Sequence, residues 1–271
     1  MDISYKWPKI LSIIAEFDKE FDERYRYENL LGMSIAQIRG HYFNTPLDVI
    51  PFGWTGVDGI HFGFLTDFGL APSLDEAYIV YVNPMDFDAP VDIAARNLAD
   101  FISICSQGVD PFFIEAIRYT GSKSSYEGYK RERAESIVAR KMKLEPYISR
   151  LAAHIELTVI SDEYDYLQEV KRERHEGIVL ETMDGLGVLR SGGETEFGGE
   201  RMKLPVAKHM KLNPAEIQEF MANANLTSKL ALIRDLQYCC ILKDDDQVWR
   251  MIYDELSRLG MTNEVQAMLN V

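Results

Sequence analysis

The sequence predicts an α+β protein: a small, mostly antiparallel sheet with flanking helices, followed by a largely helical C-terminal region. Three observations carry that prediction. The run PFGWTGVDGIHFGFLTDFGL, residues 51–70, concentrates aromatics and glycines and holds no basic residue. The run AYIVYV, residues 77–82, is nearly continuous in apolar and β-branched side chains and is closed by Asn83-Pro84. Apolar residues at helical spacing lie on both sides of these stretches, and strands grouped apart from helices mark the α+β class.

Each element follows in order. Ile10, Ile13, Ile14, Phe17 and Phe21 recur at helical spacing, so a helix is expected over 8–28, with Pro8 in a first turn that needs no amide hydrogen. Glycines 53, 56, 59 and 63 free the following backbone for turns, and Phe52, Trp54, Phe62, Phe64 and Phe68 supply apolar area to bury around them. Asp58-Gly59 is a tight-turn signal. The alternation from 60 to 65 then reads as a strand with Ile60, Phe62 and Phe64 on one face and His61 on the other. Asp67 to Gly69 reads as the next turn, and 77–82 as a strand buried on both faces. Residues 91–106 read as a helix with Ile93, Ala94, Leu98, Phe101, Ile102 and Cys105 as its apolar stripe and Gly108 as its stop. Asp110-Pro111 caps a short helix through Tyr119.

The polar, small-residue stretch GSKSSY at 121–126 reads as a boundary between a first domain, 1–120, and a mainly helical region, 121–271. Beyond it, helices are expected over 126–142 and 146–156, and a third runs to Arg174 from a cap at Ser161 or Asp162. A short hairpin near 178–189 turns at Asp184-Gly185. Helices over 214–222, 228–242, 246–259 and 263–269 pack as antiparallel hairpins. SGGETEFGGE, residues 191–200, is glycine-rich, but it carries three glutamates and lacks the Lys-Ser/Thr ending of a phosphate loop. It reads as an exposed loop. Asp244-Asp245-Asp246 reads as a helix cap, since the twelve-residue loop of a calcium site is missing.

Charge narrows the function classes. The net charge is −14, and between residues 40 and 110 ten acids face Arg96 alone, leaving −9. Such a field repels phosphate backbones and attracts basic proteins, so a basic protein partner is expected and direct nucleic-acid binding is not. Residues 121–150 reverse the sign, eight cations against four glutamates giving +4, as a solvated face or one lying partly against the acidic half. The candidate docking face is Asp58, Asp67, Asp75, Glu76, Asp86 and Asp88. No apolar run is long enough to span a membrane and the first residues lack a secretion pattern, so a cytoplasmic protein without membrane contact is expected. Cys105, Cys239 and Cys240 fit no zinc spacing and no disulfide framework.

Thr55-Gly56-x-Asp58-Gly59, then Ile79-Val80-Tyr81-Val82-Asn83-Pro84, then Leu98-Ala99-Asp100-Phe101-Ile102 resembles the SUKH superfamily. That group includes fungal regulators of cell-wall glucan synthesis and bacterial immunity proteins that neutralise toxins. The resemblance spans about residues 43–104. It implies an α+β domain that binds other proteins, toxin domains being one class of partner, and that has no catalytic residues. Carried over by position, Trp54, Gly56, Gly59 and Phe101 would define the fold. The alternative is a metal-dependent or small-ligand-binding enzyme with a pocket around Trp54, His61 and Tyr81, or chemistry on Asp58, His61 and Asp67. Against the latter, Asp58 suits its turn on backbone grounds and His61 points away from the core face. His41, His154, His175 and His209 show no ligand spacing. No cofactor, metal or catalytic residue is expected, and the oligomeric state is left open.

Overall fold

A computed structural model describes residues 5–20, 29–36, 40–190 and 201–270. Its centre is a five-stranded antiparallel sheet in the order β1-β2-β3-β4-β5. The strands are β1 (Ser34–Ile35), β2 (Val49–Trp54), β3 (His61–Leu65), β4 (Tyr78–Val82) and β5 (Val91–Ala95). Because each strand reverses the last, the turns at 55–60 and 83–90 lie at one end of the sheet and the connection at 66–77 lies at the other. Pro51 is tolerated in β2 because β1 pairs only with Gly53 and Trp54, so the missing amide hydrogen falls on an edge stretch.

The expected helix over 91–106 is two elements. Val91–Ala95 adds to the free edge of β4, with Val91 opposite Val82 and Ile93 opposite Val80, and only then does α2 (Leu98–Ser106) begin. Asn97 starts that helix, its side chain accepting from the Asp100 amide. The leading helix α1 is Lys9–Asp18, and the remainder of the 8–28 expectation, Phe21 included, runs into residues outside those described.

Both faces of the sheet are covered. Phe52, Phe62, Phe64, Ile79 and Tyr81 pack against Leu11 and Ile14 of α1, against Phe101 and Ile102 of α2, and against Ile114 of α3 (Phe113–Thr120). The same core takes in Tyr126 of α4 (Lys123–Glu132), Leu144 and Leu151 of α5 (Ala134–Leu151) and Leu167 of α6 (Glu163–Gly177). A division at 120/121 therefore cuts through one core. Gly121 is the left-handed cap of α3, at φ 65°, where glycine escapes the Cβ clash. The opposite face, with Val49, Leu65, Val80, Val82, Val91 and Ile93, is closed by Val170 of α6 and by Leu186.

Three cations of the basic stretch pair with acids outside the strands. Lys123 pairs with Asp162 and Asp165, Lys130 reaches Glu163 at 2.5 Å, and Arg150 reaches Glu20. Pro146 lies within α5, so the two helices expected over 126–142 and 146–156 are instead broken near Arg133. Asp162 caps α6.

A second core belongs to the C-terminal helices α7 (Pro214–Asn223), α8 (Leu226–Tyr238), α9 (Ile241–Asp244), α10 (Asp246–Arg258) and α11 (Thr262–Leu269). The hairpin of β6 (Ile178–Leu180) and β7 (Val188–Leu189) links it to the sheet, with Val188 packed on it and Leu186 on the sheet. The expected helix over 228–242 divides at Cys240, which takes φ 62°. Asp245 caps α10, accepting from the amides of Gln247 and Val248. The 191–200 loop lies outside the described residues. Among the described residues no helix is long and apolar enough to cross a membrane.

Candidate functional site

The six acids proposed as one docking face fall into three places. Asp58 in the 55–60 turn and Asp86 and Asp88 in the 83–90 turn share one end of the sheet, as the strand order requires. Asp75 and Glu76 are exposed in the 66–77 connection at the other end. Asp67 is buried, and both its oxygens accept from Arg174, at 2.7 and 3.0 Å. It is not a docking residue. The reason is not local: Asp58 takes the same left-handed φ of 49° and stands in water, whereas Asp67 meets the Arg174 guanidinium brought in by α6.

At the 83–90 end, Met85 is 63% and Phe87 55% exposed, with Val57 of the neighbouring turn close behind at 49%. The backbone beneath them is held from several directions. Asn44 donates to the Pro84 carbonyl at 3.0 Å, Lys208 to the Phe87 carbonyl at 2.6 Å and the Tyr238 hydroxyl to the Asp88 carbonyl at 2.8 Å. Phe43 stacks on Phe87 with ring centres 6.2 Å apart. Burial pushes the Asp86 carboxyl up, but the amides of Ala89 and Asp88 and the Arg118 guanidinium outweigh it and leave it below its ordinary value. The turn is thus held from beneath while the Met85 and Phe87 side chains, alternating with Asp86 and Asp88, reach solvent.

Trp54, His61 and Tyr81 do not share a pocket. Phe62 pairs with Tyr81 and His61 with Val82, and neighbouring residues of a strand point to opposite faces, so His61 and Tyr81 look into different layers. His61 does leave the Phe62 face, as alternation requires, yet that second face is covered too and the ring is fully buried. It stacks on Trp54 at 4.8 Å, with Tyr42 at 5.9 Å. The Gly59 carbonyl, 2.8 Å from Nδ1, can only accept, so Nδ1 holds the proton and Nε2 is left to accept from the Thr45 hydroxyl at 3.2 Å. Burial drives this imidazole down to about 4, so it is neutral. Asp58, His61 and Asp67 therefore form no set: one carboxylate is in water, one is on Arg174, and the imidazole is spent on the backbone and Thr45. Among the described residues no three His, Cys, Asp or Glu side chains gather closely enough to hold a metal ion. Of the other residues carried over by resemblance, Phe101 is buried against Phe52 and Phe62, and Gly56 turns at φ 77°. At Gly59, at φ 73°, a Cβ would lie 2.5 Å from the Tyr42 hydroxyl.

The structure adds a cluster that reading by segments passes over. Arg234 of α8 is 2% exposed and reaches Asp48 at 2.5 Å and Asp184 at 3.2 Å. It also lies 4.9 Å over the Phe68 ring. Arg174, beside it, joins Asp67 to the Leu186 carbonyl at 2.9 Å. Three aspartates thus meet two arginines at the junction of the sheet, the hairpin and the C-terminal helices. Burial pushes Asp48 up to about 6, with Arg234 pulling the other way, and pushes nearby Glu264 up to about 7. One signal was present: Arg234 interrupts the apolar run LALIRDL of α8. No protein-family model matches the chain, and no curated protein matches it in sequence.

Proposed function

We propose that the protein is a non-catalytic protein-binding module, of regulatory or immunity type, that docks a basic partner through the turn end of its sheet. The observation that carries this reading is the braced 83–90 turn, where exposed Met85 and Phe87 alternate with Asp86 and Asp88. Apolar anchors with acids at their rim suit a partner that offers an apolar pocket ringed by lysine or arginine. The acids raise the association rate and the apolar pair slows release. The −9 segment and the SUKH-like pattern over 43–104 point the same way, and a toxin domain with a basic nucleic-acid groove is one partner of that chemistry.

The test is co-purification from the native host at low and at high salt, comparing the wild-type chain with Met85→Ser/Phe87→Ser. A basic protein retained at low salt, released at high salt and lost in the double variant supports the reading. Equal recovery by both chains, or a partner that is not basic, sinks it.

A further inference from the structure

Two thiols and a thioether come together where α8 ends. Cys239 caps the end of α8 and is buried, and its Sγ lies 3.6 Å from Sδ of Met183, in the loop between β6 and β7. Both backbones are fixed by one residue of α8. The Met183 amide donates to Asp235 Oδ1 at 2.7 Å, and the Cys239 amide donates to the Asp235 carbonyl at 3.0 Å. Cys240 follows at once, half-buried, in a left-handed backbone at φ 62° that residues with a side chain seldom adopt. Its thiol meets the Tyr238 carbonyl only loosely, at 3.9 Å. Met183 is 44% exposed, so the group opens to solvent.

Burial pushes the Cys239 thiol up to about 11, with Asp235 and Cys240 adding to it and Lys208 opposing. Burial raises Cys240 as well, with Asp244 adding and Lys243 and Lys208 opposing. Both thiols therefore hold their protons at neutral pH, and both feel the Lys208 ammonium. Consecutive Cα atoms stand about 3.8 Å apart, below the roughly 4.4–6.8 Å of an ordinary disulfide, so a direct S–S bond between these neighbours would be strained. An ion held between sulfurs needs no such closure. The 3.6 Å gap between Cys239 and Met183 suits an ion bound to each sulfur at about 2.3 Å, the length of a zinc–thiolate bond, in a bent arrangement.

We propose that Cys239, Cys240 and Met183 bind one copper(I) ion through two thiolate sulfurs and one thioether sulfur. Two S–H bonds break and two Cu–S bonds form, the thioether adds a lone pair, two protons leave to solvent, and the metal stays copper(I) throughout. Soft sulfur ligands favour copper(I), whereas zinc asks for a fourth ligand. Among the described residues no third His, Cys, Asp or Glu joins the two thiols. A monovalent ion on two thiolates leaves one negative charge, and Lys208 offsets it.

Anaerobic titration of the full chain with copper(I) held by bicinchoninate tests the site, read by loss of the chelate's colour and by proton release in weak buffer. One copper moves to each chain, and close to two protons leave per copper at pH 7. Met183→Leu, an exposed and nearly size-conserving change that keeps both thiols, weakens binding by about tenfold, as loss of one contact predicts. Cys240→Ser leaves one thiolate, lowers the release to one proton and weakens binding at least as much. Cys105→Ser, in the other core, changes neither readout. Each variant is first checked for a wild-type melting profile, and Met183→Leu decides the matter if a cysteine variant fails to fold. No transfer of copper to folded wild type, release of a single proton, unchanged affinity in Met183→Leu or in Cys240→Ser, or loss of binding in folded Cys105→Ser would overturn the assignment.

Discussion

The two ends of the sheet use the same residue type in opposite ways. At the 83–90 end Asp88 stands in water, its Lys208 contact a loose 3.4 Å with the carboxylate side chain fully exposed. At the junction end Asp48 and Asp67 are dry and held by Arg234 and Arg174. A carboxylate in water costs nothing to keep charged and contributes little to stability, so it is free to steer a partner. A buried one is tolerable only while its guanidinium stays, so it ties the pieces of the fold together. Exposed acids here are free of the fold, and buried acids hold it together.

The strongest way to break that contrast is Arg234→Ala. It strands Asp48 and Asp184, and removal of one partner from such a buried set costs roughly 3–5 kcal/mol. Urea unfolding should show that loss or a chain that no longer folds; a loss under about 1 kcal/mol would mean that water already reaches the junction.

Titration gives the next effect. Burial raises Glu264 to about 7 and Asp18 to about 7, so in each case the native state holds its proton more tightly than the unfolded chain does. Between the ordinary carboxyl range near 4 and about 7 the unfolded state binds fewer protons, and stability therefore falls as pH rises. The decline should be on the order of 1–3 kcal/mol from pH 4.5 to 7.5, and Glu264→Gln should flatten part of it. Melting midpoints across that window measure both, and a rise with pH would reverse the assignment.

The smallest effects belong at the turn end. Met85→Ser/Phe87→Ser should change unfolding free energy by only about 0.5 kcal/mol, because both side chains are already in water, while abolishing partner capture. Asp88→Asn should leave the melting midpoint where it is and slow association at low salt. A large stability loss in either would mean that this end, too, holds the fold together.

Parts of this were legible from short windows of sequence. The turn at Asp58-Gly59, the alternation that separates Phe62 and Phe64 from His61, and the cap at Asp245 are each decided within a few residues, by backbone sterics and by where an amide hydrogen bond can go. Val91–Ala95 was not legible, because VDIAA fits a helical stripe as well as a strand, and the open edge of β4 settles the matter. The site was less legible still. Asp58 and Asp67 both sit in left-handed turns rich in glycine and aromatics, and nothing nearby in sequence distinguishes them.

The sequence by itself determined the α+β class, the turn-rich entry to the sheet, the C-terminal helices and the acidic excess, since propensity, periodicity and charge count are local or additive. Only the tertiary structure decided which acids face water. That depends on Arg174, 107 residues beyond Asp67, and Arg234, 186 residues beyond Asp48. Solvation is a property of what is packed alongside, and a chain read in order does not contain its neighbours.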